Sequence, residues 1–137
     1  MRTEPTVKVL IVDDNRVLRE HLCLMVENDD RFALACSAAD GAEAIRLAEE
    51  DRVDAIVLDL QMPLVDGLTA LPRLRQLCPD AVIVAHSFDT EALDRALGLG
   101  ADLAVTKGSG LDELLDALAA GREALPGSQH GPQFSVA

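Results

Sequence analysis

The sequence predicts a doubly wound α/β domain, in which helices cover both faces of a parallel sheet. Five short apolar segments alternate along the chain with five segments of helical periodicity. The apolar segments are continuous rather than alternating with polar residues, which is typical of strands that are buried on both faces. The 137 residues fit one domain.

Three strands and two helices are predicted in the first half of the chain. Residues 7–12 form a continuous apolar strand, residues 32–37 form a weaker one, and residues 55–60 form a third that contains Asp59. The helices between them are predicted from apolar residues spaced to form one buried face. These residues are Val17, Leu18, Leu22 and Met25 in the first helix, and Ala44, Ile45 and Ala48 in the second.

A third helix is predicted after the third strand, with Leu68, Leu71 and Leu74 along one face. Pro72 lies within this segment and lacks the N–H that would bond to the carbonyl of Leu68. We therefore expect either a kink or a late start of this helix.

The fourth and fifth strands are predicted at residues 81–85 and 103–106. Either Asp89 or Thr90 is suited to cap the helix between them. Gly100 is suited to the left-handed conformation that ends a helix.

The last predicted helix begins near Ser109, which forms a possible capping box with Asp112. Taken together, the elements predict an N-terminal tail at 1–6 and one domain at 7–125. Residues 126–137 are rich in Gly, Pro, Ser and Gln and are expected to be a flexible tail or a truncated linker.

The composition excludes several classes of function. The 12 Lys and Arg residues against 24 Asp and Glu residues give a formal net charge of −12, which argues against direct nucleic-acid binding. No apolar stretch approaches the roughly 20 residues of a membrane span, and no signal peptide is recognisable, so we expect a cytoplasmic protein. The three cysteines are odd in number and widely separated, and are expected to be reduced thiols in apolar positions.

Polar side chains gather at the carboxyl ends of the predicted strands, which meet at one edge of such a sheet. They are Asp13 and Asp14 after the first strand, Asp59 in the third, Ser87 past the fourth and Lys107 past the fifth. Like charges held together repel, and a hard divalent cation such as Mg²⁺ relieves that repulsion. An oxygen nucleophile, a metal and a lysine are what phosphoryl transfer requires.

Each of these features also has a purely structural interpretation. Asp13 and Asp14 fit a turn that ends a strand, Lys107 fits a surface lysine, and Ser87 fits a helix-capping residue. Asp59 is harder to explain in this way, because a carboxylate within an apolar strand is costly to bury without a purpose.

The chain resembles the receiver domains of two-component response regulators over residues 7 to 125. The residues that carry the resemblance are VKVLIVDDN at 7–15, DAIVLDLQMPLVDGL at 54–68 and GADLAVTKG at 100–108. The resemblance implies a flavodoxin-like fold with a five-stranded parallel sheet of strand order 2-1-3-4-5.

The resemblance also implies a role for each site residue. Asp59 would be the phosphoacceptor, Asp14 a direct Mg²⁺ ligand and Asp13 a ligand through water. The backbone carbonyl of Gln61 would complete the protein ligands, and Lys107 would contact the phosphoryl oxygens.

The sequence departs from this family at two positions. A Thr or Ser usually ends the fourth strand, where this chain offers Ala85, His86 and Ser87. We assign the role to Ser87, with His86 as the alternative, although the span to Lys107 is one or two residues short. An aromatic residue that turns inward on activation usually stands where this chain has Ala104.

The resemblance implies a signalling domain that assists its own phosphorylation and dephosphorylation rather than an enzyme. Its partner would be a sensor histidine kinase or a phosphotransfer protein, and a homodimer is left open. The chain would be a stand-alone receiver or the receiver of a longer regulator, such as a transcription regulator. Two alternatives remain, namely a non-switching receiver that acts as a constitutive interaction module and a small phosphatase with Asp59 as nucleophile.

Overall fold

The computed structural model of the chain describes residues 6–62, 65–124 and 134–136. Strands and helices alternate along these residues. The strands are β1 (Val7–Val12), β2 (Phe32–Ala38), β3 (Ala55–Asp59), β4 (Val82–Ser87), β5 (Leu103–Thr106) and β6 (Phe134–Val136). The helices are α1 (Arg16–Glu27), α2 (Gly41–Glu50), α3 (Gly67–Leu77), α4 (Thr90–Leu99) and α5 (Leu111–Ala124).

The strands form one parallel sheet of order β2-β1-β3-β4-β5-β6. The predicted doubly wound fold and the strand order 2-1-3-4-5 are therefore confirmed. The sixth strand was not predicted, and it pairs with β5 along what would otherwise be an edge of the sheet. The segment expected to be a tail or linker thus contains a strand at Phe134–Val136, while 125–133 lies outside the described residues.

Helices cover both faces of the sheet, because successive residues of a strand point to opposite faces. Helices α1 and α5 pack on one face, against residues such as Val57 and Val84. Helices α2, α3 and α4 pack on the other, against residues such as Ile56 and Ile83. We call these the α1/α5 face and the α2–α4 face.

The described helices include none whose length and hydrophobicity would suit a membrane span.

Asn and Asp side chains begin four of the helices immediately after strands or short loops. The side-chain oxygens of Asn15, Asp40, Asp66 and Asp89 accept hydrogen bonds from N–H groups in the first turns of α1 to α4. Each cap satisfies an N–H that has no partner within its helix. Asp89, rather than Thr90, caps α4.

The start of α3 excludes one of the two expected alternatives, and the start of α5 differs from the expected capping box. Helix α3 begins at Gly67 and continues through Pro72, so it does not begin late. At the start of α5, the Gly110 N–H donates to Glu113 Oε1 at 3.2 Å, so Glu113 rather than Asp112 closes the first turn.

Arg75 of α3 holds together the loops that precede β4 and β5. Its guanidinium donates to the carbonyl oxygens of Gly100 (2.8 Å) and Ala81 (2.9 Å) and forms an ion pair with Asp102 Oδ2 at 2.6 Å. The same Asp102 oxygen accepts the Ile83 N–H at 2.8 Å. One side chain therefore satisfies several backbone acceptors at the amino end of the sheet.

Replacing Arg75 with Leu is expected to lower the free energy of unfolding by about 1–3 kcal/mol, because it leaves these acceptors without a donor. The matched control is Arg73→Leu in the same helix, where the arginine pairs with Glu49 at the surface and its loss should cost little. Urea titration of both variants measures the difference. Equal stability of the two variants would contradict this interpretation of the Arg75 network.

Candidate functional site

Four charged side chains converge at the carboxyl ends of β1, β3 and β5. Asp13 and Asp14 follow β1, Asp59 is the last residue of β3, and Lys107 follows β5. Carboxylate oxygens of the three aspartates lie within 4.8 Å of one another. Lys107 Nζ lies 3.2 Å from Asp13 Oδ2 and 3.4 Å from Asp59 Oδ1. The structure thus brings together the four charged residues that the sequence analysis assigned to one edge.

The charges in this cluster do not balance. Asp13 and Asp59 are 1% and 2% exposed, whereas Asp14 is exposed to solvent. Buried carboxylates at such short range repel each other. Lys107, whose side chain is 13% exposed, pairs with both buried carboxylates. Three carboxylates against one ammonium group leave the cluster negative.

Backbone hydrogen bonds hold the two buried carboxylates in place. The Asn15 N–H donates to Asp13 Oδ1 at 2.9 Å, and the Asp13 N–H donates to the carbonyl of Ala38 in β2 at 3.1 Å. The Gln61 N–H donates to Asp59 Oδ1 at 3.1 Å. The loops after β1 and β3 therefore orient these side chains without help from a ligand.

Gly67 brings the start of α3 against the end of β3. Its N–H donates to the Leu60 carbonyl at 3.2 Å. A Cβ at position 67 would overlap the carbonyl oxygen of Asp59 and lie 2.8 Å from Leu60 Cα. Glycine, which has no Cβ, lets the helix begin this close to the strand.

One oxygen of Asp59 has no partner in the described part of the chain. Its Oδ2 is buried and makes no hydrogen bond. Burial, followed by the nearby charge of Asp13, raises the pKa of Asp59 to about 6. A partnerless carboxylate oxygen beside two further carboxylates matches the oxygen ligands that Mg²⁺ prefers. The residues present therefore fit a magnesium site that includes Asp13, Asp14 and Asp59.

Gln61 and Ser87 contact each other at the side of this cluster. Ser87 Oγ donates to Gln61 Oε1 at 3.3 Å and accepts the Asp89 N–H at 3.0 Å. Gln61 Nε2 in turn donates to Asp89 Oδ2 at 3.3 Å. The roles expected of the Gln61 carbonyl as a metal ligand and of Ser87 beside the phosphoryl group stay predictions.

The strand register favours His86 over Ser87 as the neighbour of Asp59. His86 pairs directly with Asp59, whereas Ser87 lies one residue further along β4. Because side chains alternate between faces, His86 follows Val84 onto the α1/α5 face, and Ser87 points to the opposite face. Ser87 and His86 therefore both stay candidates for the residue beside the phosphoryl group, with the register on the side of His86.

His86 is buried and neutral at pH 7. Burial, followed by the positive charge of Lys107, lowers its pKa to about 4. Protonation would place a second cation beside the ammonium group in a desolvated site.

Ala104 lies in the core of the α2–α4 face, in register with Ala85 of β4. It is 2% exposed. A methyl side chain has no rotamer to change, so the inward rotation of an aromatic side chain is not available at this position.

A surface cavity of about 760 Å³ lies at the opposite, amino-terminal edge of the sheet. Asp54, Ala81 and Arg122 are among its lining residues. Arg122 and Arg52 both approach Asp54, at 4.0 and 3.3 Å, so the charge of Asp54 is compensated. The carboxylate cluster is a separate site at the other end of the strands.

Replacing Asp59 with Asn is expected to stabilise the metal-free protein by about 1–3 kcal/mol near neutral pH, because it removes a buried charge beside Asp13. The folded state binds the Asp59 proton more tightly than the unfolded state, whose pKa is 3.8. Stability should therefore fall as the pH rises from about 4 to about 6, and the advantage of the variant should disappear below about pH 4.

Urea titrations with a chelator at several pH values measure this advantage. Asp112→Asn, at an exposed position of α5, is the matched control. A variant at position 59 that is less stable than the parent near neutral pH would contradict the assignment of charge repulsion.

Known proteins are similar to this chain in sequence and in fold. The family model of the response regulator receiver domain matches residues 9–119. A protein-glutamate methylesterase/protein-glutamine glutaminase 2 of Shewanella sp. (strain MR-4) is 43% identical over 99 residues, which are 70% of this chain and 28% of that protein. The chain spans less than a third of the length of the curated relatives that it matches first.

Two solved structures are similar over most of their length. A LuxR-family two-component response regulator from Aurantimonas sp. SI85-9A1 has a TM-score of 0.79 and 32% identity, covering 90% of this chain and 88% of that chain. A Burkholderia pseudomallei response regulator with a phosphorylated aspartic acid, a calcium ion and citrate has a TM-score of 0.76 and 26% identity, covering 88% and 71%. This chain belongs to the response regulator receiver domain family.

Proposed function

We propose that this domain accepts a phosphoryl group on Asp59 in a Mg²⁺-dependent reaction and thereby switches a partner or output surface. The observation that carries the proposal is the contact of Lys107 Nζ with both Asp13 and Asp59, next to the partnerless Asp59 Oδ2. The similar Burkholderia protein, which holds a phosphorylated aspartic acid and a calcium ion, supports it.

In this reaction an Asp59 carboxylate oxygen forms a bond to phosphorus while the phosphorus–nitrogen bond of a phosphohistidine donor breaks. The bonding electron pair returns to the donor imidazole, and an acyl phosphate remains on Asp59. Lys107 places a positive charge beside the transferring oxygens. Asp13, Asp14, Asp59 and the carbonyl of Gln61 would hold Mg²⁺, which supplies charge neutralisation for the phosphoryl oxygens.

The groups next to the Asp59 carboxyl group are charged or polar, which suits a reaction that transfers an anionic group. Asp13, Lys107 and the Gln61 N–H surround the carboxyl group. The donor would be a sensor histidine kinase or a phosphotransfer protein in the cytoplasm. The net charge of −12 supports a protein partner for this domain rather than nucleic acid.

A non-switching interaction module is the second candidate. Ala104 favours it, because the methyl group offers no rotamer that could report phosphorylation. Moving a two-state equilibrium from 1:99 to 99:1 takes about 5.5 kcal/mol of differential stabilisation. Titration with Mg²⁺ distinguishes the interaction module from the phosphoaccepting receiver, since a module that has lost phosphoryl transfer does not need to bind the metal.

Incubation with acetyl phosphate and Mg²⁺ is expected to add one phosphoryl group to the intact protein, as measured by mass spectrometry. Chelation of the metal or the change Asp59→Ala should abolish the gain, and Asp112→Asn should not. A gain of mass that survives Asp59→Ala would reject Asp59 as the acceptor.

Replacing Lys107 with Met is expected to lower the free energy of unfolding in chelator by about 3–5 kcal/mol, because two buried carboxylates lose their shared cation. Saturating Mg²⁺ should recover part of this loss, since the metal neutralises the same carboxylates. Lys8→Met on the exposed side of β1 is the control. Thermal melting with and without Mg²⁺ tests this, and an identical loss under both conditions would argue against a metal at the cluster.

A further inference from the structure

His86 is a buried polar side chain without a hydrogen-bond partner. It is 1% exposed, and neither Nδ1 nor Nε2 makes a hydrogen bond within the described part of the chain. Buried polar groups are rarely left unpaired, because their desolvation is then uncompensated. Such a group calls for an explanation in terms of a ligand that arrives later or of a purely space-filling role.

The sheet places His86 between the two groups that would handle a phosphoryl group. It pairs in register with Asp59 on one side and with Val105 on the other. Neighbouring strands lie about 4.8 Å apart, and in-register residues of parallel strands point to the same face. Lys107, two residues beyond Val105, follows that alternation, so Asp59, His86 and Lys107 share the α1/α5 face at the strand ends.

On the opposite face of the sheet, the hydroxyl group that β4 offers is already engaged. Ser87 lies one residue further along β4, and its hydroxyl group is already hydrogen-bonded to Gln61 and Asp89. His86 therefore combines ring nitrogens that have no partner among the described residues with a register position next to Asp59.

We propose that His86 donates a ring N–H to an oxygen of the phosphoryl group on Asp59. This inference rests on the proposed function of Asp59 as the phosphoacceptor. A neutral imidazole has one N–H donor and one lone pair, and phosphorylation brings the acceptor oxygens that this donor lacks. The bond is charge-assisted, because the phosphoryl oxygens are anionic. Phosphorylation would then fix one tautomer of a ring that is unpartnered in the resting protein.

The probe is beryllofluoride with Mg²⁺, a mimic of the phosphoryl group, added to the full chain. His86→Leu, which fills similar space without a donor, is expected to weaken its affinity roughly tenfold or more. His86→Asn keeps an N–H donor and should lose less. His21→Asn, at an exposed position of α1, is the control for the loss of a histidine elsewhere.

Nitrogen-15 NMR of the histidine rings gives a second readout that needs no variant at position 86 to fold. In the parent protein, beryllofluoride should fix one His86 tautomer and protect its ring N–H from exchange with water. The His21→Asn and His130→Asn proteins identify the other two ring signals by subtraction.

The outcomes separate this inference from the proposed function. If beryllofluoride binds the parent protein but not Asp59→Asn, the acceptor assignment stands. If, in that case, the His86 ring signals do not respond and His86→Leu binds as tightly as the parent, the inference is overturned. A larger loss for Ser87→Ala than for His86→Leu would assign the donor to Ser87 and would also overturn it. No binding to the parent protein would overturn both proposals.

Discussion

The repulsion between the buried carboxylates of Asp13 and Asp59, offset by the single ammonium group of Lys107, is the constraint on which the site depends. Parallel strands necessarily bring their carboxyl ends to one edge, so charges carried by three separate strands meet there. The lysine balances only part of the negative charge, which is why burial and the second carboxylate raise the pKa of Asp59 to about 6. The remaining negative charge is the feature that suits the cluster to a divalent cation.

The fold supports this cluster from two sides. Gly67 lets α3 begin directly against the backbone of β3, so the helix cap at Asp66 is followed by a residue in close contact with the end of the strand. On the other side, strand alternation sends Asp59, His86 and Lys107 toward the α1/α5 face while the α2–α4 face is filled with aliphatic side chains. The polar residues of the site thus lie at the carboxyl end of the α1/α5 face, and the core beneath them is apolar.

The sequence was sufficient for the first five strands and the charged residues of the site, because continuous apolar runs and the residues that end them are local signals. Which of Ser87 and His86 faces the same side of the sheet as Asp59 could not be predicted locally, since a shift of one residue in a strand reverses the face of every side chain. Strand β6 could not be predicted either. Three residues are too few to show a hydrophobic periodicity. This strand is defined by its pairing with the open edge of β5.

The central claim is that residues 13, 14, 59 and 107 form one pocket that holds a metal and a phosphoryl group together. A crystal structure of the chain grown with Mg²⁺ and beryllofluoride tests it most directly. The account predicts beryllium bonded to an Asp59 oxygen, a metal ion held by carboxylates of the cluster, and Lys107 Nζ in contact with fluoride. A structure in which Lys107 remains paired with Asp13 and Asp59, with no metal between the carboxylates, would contradict it.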